Sequence, residues 1–338
     1  MIQKAMVMAA GVGSRLDPLT QCIPKPLVPI LNRPVMDILL EKLAHCGIKE
    51  VVANTYYLAE KIEERYSKSC PVNISFVHEK ELSGTAGGLK KCELFFDNCE
   101  NLLVVSADGF HDADLGRIIA AHEESGCIAT MAVVPVDIED VSNYGVVVTN
   151  KDFSVSEFQE KPPVSEAKSN CINTGIYVFN KRIFDYIPAN RIYDFARDVF
   201  PALLNAGEKI NTYKIYNYWS DIGTLEQYLQ SNKDALMRKV MVSGVDIINK
   251  YNAKYVVGEH TVLPENVKIY DACIIGSNCK IGENATLSNV ILWDGVEVAE
   301  GITLENVVVA NNTVIEMSLK NEIVGADRII GKKVKALV

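Results

Sequence analysis

From Val257 onward an aliphatic residue returns at every sixth position: Val257, Leu263, Ile269, Ile275, Ile281 and Leu287. Two later steps shorten to five, and the series continues through Leu292, Val298, Leu304, Val309 and Ile315. A period of six matches neither an α-helix nor a flat strand, whose side chains repeat every 3.6 and 2 residues. It is the period of a parallel β-helix, in which each hexad makes one short face and turns one aliphatic side chain inward. Small residues often follow the aliphatic one, as at Gly258, Gly276, Gly282, Ala299 and Ala310. Cys273 and Cys279 each stand four places after an inward residue, where Thr261, Ala285 and Thr313 also stand. That shared slot makes them small packing residues rather than metal ligands.

The chain ahead of the repeat alternates strands and helices. "KAMVMAA", "KEVVANT", "VNISFVHE", "NLLVVSAD", "IATMAVVPV", "YGVVVT" and "CINTGIYVFN" read as strands, with "PVMDILLEKLAHCGI", "LAEKIEERY", "DLGRIIAAHEESG" and "DFARDVFPALLNAG" as helices between them. This order predicts an α/β, Rossmann-like, mainly parallel sheet flanked by helices, with ligands outside the C-terminal strand ends. "GTLEQYLQSNKDALMRKV" predicts a helix of about five turns that closes the first domain. The expected domains are 1–240 and 251–338. A length of 338 residues, 48% of them hydrophobic, suits two such cores.

The net charge of −9, with no long basic run, argues against nucleic acid and anionic membrane as partners. Nine cysteines without a C-x-x-C pair point to reduced thiols and a cytoplasmic location. No apolar stretch approaches the roughly 18 residues that span a bilayer. The apolar start "AMVMAAG" reads as a buried first strand rather than a signal peptide, because a glycine loop follows at once.

That loop, "GVGSR", has no G-K-[ST] ending and lacks the third glycine of a dinucleotide fingerprint. Its glycines allow close backbone approach to phosphate oxygens. Pro18, Pro24, Pro26 and Pro29 stiffen the continuation that carries Arg15 and Lys25. The alternative is a surface loop with solvated charges. Asp108 ends an apolar strand, where a carboxylate suits Mg²⁺ or, as the plainer alternative, starts the next helix, as Asp112 also could. Asp221 in "YWSDIGT" is a second isolated acid. "LSGTAGGLKKC" offers either a thin wall for a flat base or an ordinary helix entry capped by Ser83 or Thr85. "FQEKPP" places Glu160 and Lys161 at a strand end, as an exposed ion pair or a phosphate anchor.

Taken together, Gly11-x-Gly13-x-Arg15-Leu16-x-Pro18-Leu19-Thr20, Pro24-Lys25-Pro26, "SGTAGG", Asp108, "EKP", "NTGIYVF" and "WSDIGT" resemble the sugar-phosphate nucleotidyltransferases, also called nucleotide-sugar pyrophosphorylases. The tail resembles the left-handed β-helix of the mannose-1-phosphate guanylyltransferase-like branch. The resemblance implies that a sugar 1-phosphate and a nucleoside triphosphate give a nucleotide sugar and pyrophosphate, with Mg²⁺ as cofactor. It favours mannose 1-phosphate with GTP; uridylyl, thymidylyl or adenylyl transfer to glucose 1-phosphate, and a catalytically silent regulatory subunit, are the alternatives.

By the same resemblance, Ala10, Gly11, Gly13, Ser14 and Arg15 hold the triphosphate, and Lys25 steadies the transferring phosphoryl group. Asp108 and Asp221 hold the metal. Gly84, Thr85 and Ala86 meet the base. Tyr144, Gly145, Glu160, Lys161 and Asn173 meet the sugar phosphate. The β-helix is expected to make a homo-oligomer.

Overall fold

The structure is a computed structural model that describes residues 2–250 and 252–331, so position 251 and the stretch 332–338 of the expected second domain lie outside the described residues. Contacts divide the chain into two compact units, Met1–Val12 with Met36–Asp221 and Gly13–Val35 with Ile222–Val338.

The first unit is built on strands β1 (Lys4–Met8), β2 (Glu50–Thr55), β3 (Asn73–His78), β4 (Asn101–Ser106), β5 (Gly109–His111), β6 (Ala129–Pro135), β7 (Gly145–Thr149), β8 (Val155–Glu160), β9 (Cys171–Asn180), β10 (Ile210–Lys214) and β11 (Trp219–Asp221). Its large sheet runs β8-β7-β9-β4-β1-β2-β3, with β6 beside β9 and β10 beside β6. Strands β4, β1, β2 and β3 are mutually parallel. The long β9 runs antiparallel to β4 and β6, which makes the sheet mixed.

Strand β1 is apolar without alternation because it lies inside a parallel sheet: Ala5, Met6 and Val7 are fully buried. The flanking helices are α1 (Val35–His45), α2 (Ala59–Lys68), α3 (Gly84–Lys91), α4 (Leu115–Ser125) and α5 (Phe200–Asn205). Asp114, rather than Asp108 or Asp112, caps α4, its carboxylate accepting from the Arg117 amide.

In the second unit, helix α6 spans Leu225–Leu236, shorter than the five turns expected. It stops because Arg238 turns left-handed at φ 59°, and the Lys239 amide reaches back to the Asp234 carbonyl.

Beyond α6 the repeat forms a parallel coil. Strands Ala253–Val257, Lys268–Ile275, Thr286–Leu292 and Thr303–Val309 stack as one parallel sheet that bends at Asp271, Asn289 and Asn306. Lys280–Ile281, Glu297–Val298, Val314–Ile315 and Ile329–Ile330 stack as a second. All the aliphatic residues of the series lie in a single apolar cluster, together with Cys273 and Cys279. Ala253 pairs with Asp271 and Thr286 with Thr303, so one coil takes 18 residues and a later one 17. The five-residue steps fall at Asn289 and Asn306, left-handed corners with φ 54°. Glycine is required where coils touch: a Cβ on Gly282 would lie 2.4 Å from the Glu300 amide nitrogen.

Candidate active site

The end of β1 sets the first wall of the site. Register pairs Met8 with Ser106, and the Ala107 amide donates to the Met8 carbonyl at 3.1 Å. Ala10 and Gly11 therefore leave the same sheet edge as Asp108, the C-terminal edge where parallel sheets place ligands. The Ala9 amide donates to Asn54 Oδ1 at 3.1 Å, and Asn54 Nδ2 donates to Glu79 Oε1 at 2.6 Å.

Glu79 is almost fully buried. Burial alone would raise its pKa. Hydrogen bonds from Lys91, Ser83 and Asn54 outweigh that, so the carboxyl is held below its ordinary value. Sequence reading missed this network. Its only sequence signal is a polar residue at the end of two apolar strands.

Helix α3 opens with the "GTAGG" run. Neither Ser83 nor Thr85 caps it in the expected way: the Ser83 hydroxyl goes to Glu79 and the Thr85 hydroxyl to Asp194 Oδ2 at 2.7 Å. The Ala86 and Gly87 amides both donate to the Tyr193 carbonyl, at 3.0 and 2.9 Å. The glycines are thin because protein lies against them. A Cβ on Gly84, at φ +76°, would lie 2.5 Å from the Tyr193 oxygen, and one on Gly88 would lie 2.7 Å from Asn54 Nδ2.

The segments that carry the two isolated acids meet. β11 pairs antiparallel with β5, placing Asp221 opposite Gly109, the residue after Asp108. Both aspartates are half-buried. The Ser106 hydroxyl donates to Asp108 Oδ1 at 2.5 Å, and the Tyr144 hydroxyl to Asp221 Oδ1 at 3.1 Å. Among the described residues no group of three or more His, Cys, Asp or Glu could hold a metal. A pair of carboxylates is nevertheless the donor set that Mg²⁺ takes when phosphate and water supply the rest.

On the far side of Asp221, the Tyr144 ring meets Trp219 edge-on at 5.8 Å. Gly145 pairs with Glu160, and a Cβ there would lie 2.5 Å from Phe158 Cζ and 3.2 Å from Glu160 Oε2. Lys161 is left-handed, at φ 49°, with its amide on the Tyr144 carbonyl at 3.1 Å. That conformation is uncommon for a side chain of its size. Glu160 is raised from its ordinary value, chiefly by desolvation. Asn173 sits before a register break in β9: its Nδ2 donates to the Tyr177 hydroxyl at 2.6 Å, and its Oδ1 accepts from the Gly175 amide at 3.1 Å.

Gly13, Ser14, Arg15 and Lys25 belong to the second unit. There the Thr20 hydroxyl donates to the Gly13 carbonyl at 2.9 Å, and a Cβ on Gly13 would lie 2.9 Å from Lys25 Cβ. Arg15 is exposed in a short 3₁₀ turn, whereas Lys25 is buried.

Residues 4–238 match the nucleotidyl transferase family, and residues 254–289 match the bacterial transferase hexapeptide repeats. The chain belongs to the nucleotidyl transferase family, among the sugar-1-phosphate nucleotidyltransferases. It is 36% identical over 323 residues to a UTP–glucose-1-phosphate uridylyltransferase of Synechocystis sp., covering 86% of this chain and 83% of the relative. It is 30% identical over 298 residues to a mannose-1-phosphate guanylyltransferase of Mycobacterium tuberculosis, covering 86% and 80%. The crystal structure of HddC from Yersinia pseudotuberculosis complexed with GMP-PN superposes with a TM-score of 0.59 at 26% identity, over 69% of this chain and 99% of that one. No helix among the described residues is long and apolar enough to cross a membrane.

Proposed function

We propose that this chain transfers a nucleotidyl group from UTP to glucose 1-phosphate. An oxygen of the sugar 1-phosphate attacks the α-phosphorus, the bond from that phosphorus to the bridging oxygen breaks, and pyrophosphate leaves with the electron pair. The observation that carries the reaction class is the pairing of β5 with β11, which sets Asp221 opposite Gly109, the residue after Asp108, at the sheet's C-terminal edge. The choice of UTP and glucose rests on the higher identity to the uridylyltransferase than to the guanylyltransferase. Mannose 1-phosphate with GTP, the sequence-based expectation, is the second reading; the guanylyltransferase relative and the GMP-PN complex of HddC support it.

In this reading Asp108 and Asp221 would hold Mg²⁺, which would supply positive charge against the phosphate oxygens. Ser106 and Tyr144 fix the two carboxylates through the hydrogen bonds described above. Ala10, Gly11, Gly13, Ser14 and Arg15 contact the triphosphate, and Lys25 the transferring phosphoryl group. Gly84 and Thr85 are the members of the run that meet the base, since Ala86 is fully buried with its amide on the Tyr193 carbonyl. Tyr144, Gly145, Glu160, Lys161 and Asn173 position the sugar phosphate; catalysis is then alignment plus charge neutralisation. A catalytic part at 1–240 and a repeat part at 251–338, a homo-oligomer through the repeats and a cytoplasmic location belong to the same proposal.

Pyrophosphate release is measured with UTP, GTP, dTTP and ATP against glucose and mannose 1-phosphates. UTP with glucose 1-phosphate is expected to give the highest kcat/KM, and a higher value for GTP with mannose 1-phosphate selects the second reading. Asp221→Asn is expected to lower turnover about a hundredfold and to raise the Mg²⁺ needed for half-activity. An unchanged metal titration would remove Asp221 from the metal site.

A further inference from the structure

The segment that carries Arg15 and Lys25 is tied to helix α6 and to the repeat coil by side chains that the reaction itself does not call for. From Lys25 the chain runs through a short 3₁₀ turn, where the Val28 amide donates to the Lys25 carbonyl at 3.1 Å. The Val28 carbonyl in turn accepts from the Val35 amide at 3.1 Å, which closes the base of a hairpin. In that hairpin Pro29 faces Pro34 and Ile30 faces Arg33, leaving Leu31 and Asn32 as a two-residue turn.

Both turn residues are left-handed, with φ 47° and 65°. Two positive φ values suit the twist of a tight hairpin, but they normally call for Asn or Gly. Asn32 meets that requirement; Leu31 does not, and Leu31 is buried. Such a conformation persists where its surroundings over-determine it.

Three ties do so. The Leu31 amide donates to Oδ1 of Asn232, a buried residue of α6, at 3.1 Å, and Asn232 Nδ2 donates to the Tyr228 carbonyl at 3.1 Å. Asn32 Nδ2 donates to the Ile275 carbonyl, on an inner strand of the coil, at 2.7 Å. Arg33 donates to the Ser243 carbonyl. The other end of the segment is met by the last described coil: a Cβ on Gly325 would lie 3.2 Å from Pro18 Cβ, and Arg328 reaches Gln21 Oε1 at 3.4 Å. α6 is itself fixed to the coil by Trp293 Nε1, which donates to the Tyr228 hydroxyl at 2.8 Å.

We propose that Asn32 and Asn232 are positioning residues for nucleotide binding, which hold the segment Gly13–Val35 in its binding conformation by fastening it to α6 and the repeat coil. The proposal rests on the reading of Arg15 and Lys25 as triphosphate contacts. It makes the repeats a working part of the nucleotide site, and it makes nucleotide binding and order in the coil reciprocal. If loss of a tie leaves the segment in its binding conformation about a tenth of the time, apparent affinity falls about tenfold.

The test uses the full chain and Asn32→Gly, which keeps the left-handed turn and removes only the side-chain tie, with Asn232→Ala as a second variant. Hydrogen exchange of residues 13–28 and the KM values for UTP and glucose 1-phosphate are measured. Expected are faster exchange across 13–28 and a UTP KM raised about tenfold, with the glucose 1-phosphate KM changed less than about twofold. Unchanged exchange across 13–28 in both variants overturns the proposal. Faster exchange with an unchanged UTP KM also overturns it, and Lys25→Ala then says which idea failed. If Lys25→Ala raises the UTP KM, the segment binds nucleotide and the ties are structural only. If it does not, the reading of the segment as a triphosphate contact is what fell.

Discussion

His111 shows how one side chain can record its surroundings. It lies on β5 beside the two aspartates and is fully enclosed, with Nδ1 accepting from the Ala113 amide at 3.2 Å. Desolvation, with the Lys42 charge adding to it, lowers its pKa from 6.5 to about 3. The native ring stays neutral, whereas an unfolded chain gains a proton below about pH 6.5. Stability is therefore full above that pH and is lost progressively as the pH falls from about 6.5 toward 3. His111→Gln, which keeps an acceptor for Ala113, is expected to flatten this loss. Urea midpoints at pH 7 and pH 5 measure it, and equal slopes for the two proteins would show that His111 does not set the acid limit. Nothing in "GFHDAD" announces a neutral histidine, because its pKa follows from burial and from the Lys42 charge, which only the fold supplies.

Among the elements, the repeat was the most legible. An inward side chain every six residues is a local property, and every aliphatic position read from the sequence lies in the coil's apolar cluster. Its polar counterpart has no such periodic signal. Asn289, Asn306 and Asn321 occupy successive left-handed corners, and their side chains form a ladder: Asn289 Nδ2 donates to Asn306 Oδ1 at 2.8 Å, and Asn306 Nδ2 to Asn321 Oδ1 at 2.9 Å. Asn306→Ala loses both rungs and, at φ 54°, also the short polar side chain that lets Asn tolerate a left-handed conformation costing about 1–2 kcal/mol for most residues. Asn306→Gly loses the rungs alone. Thermal unfolding should therefore rank wild type above Gly and Gly above Ala; Ala equal to Gly would mean that the corner conformation contributes nothing. Helix α6 ends sooner than its spacing predicts, because the apolar and charged pattern continues past Leu236 while the left-handed turn at Arg238 has no glycine to mark it.

At the scale of the whole molecule, the chain's two tryptophans report on separate units, Trp219 in the first and Trp293 in the second. Trp293 is hydrogen-bonded to Tyr228 in α6. A ligand at about 100 times its Kd stabilises the state it binds by about 2.7 kcal/mol. If the segment Gly13–Val35 both contacts nucleotide and is fastened to the coil, UTP with Mg²⁺ should raise the unfolding midpoint reported by Trp293. The measurement uses Trp219→Phe, which leaves Trp293 as the single indole. A Trp293 transition that nucleotide does not move would separate the repeats from the binding reaction.

By itself the sequence determined most of the strands and helices, the repeat and the family to which they add up, but not β5, β10 or the end of α6. Burial periodicity and turn chemistry act over a few residues, so they are written where they act. The tertiary structure decided what meets what. Asp221 came opposite Gly109, the residue after Asp108, only when β11 paired with β5. The glycine-rich loop proved to start on the sheet at Ala10 and Gly11 and to continue, from Gly13, in the compact unit of the repeats. Such partnerships join residues far apart in the chain and depend on which surfaces remain to be covered once the local elements exist, and no local pattern carries that information.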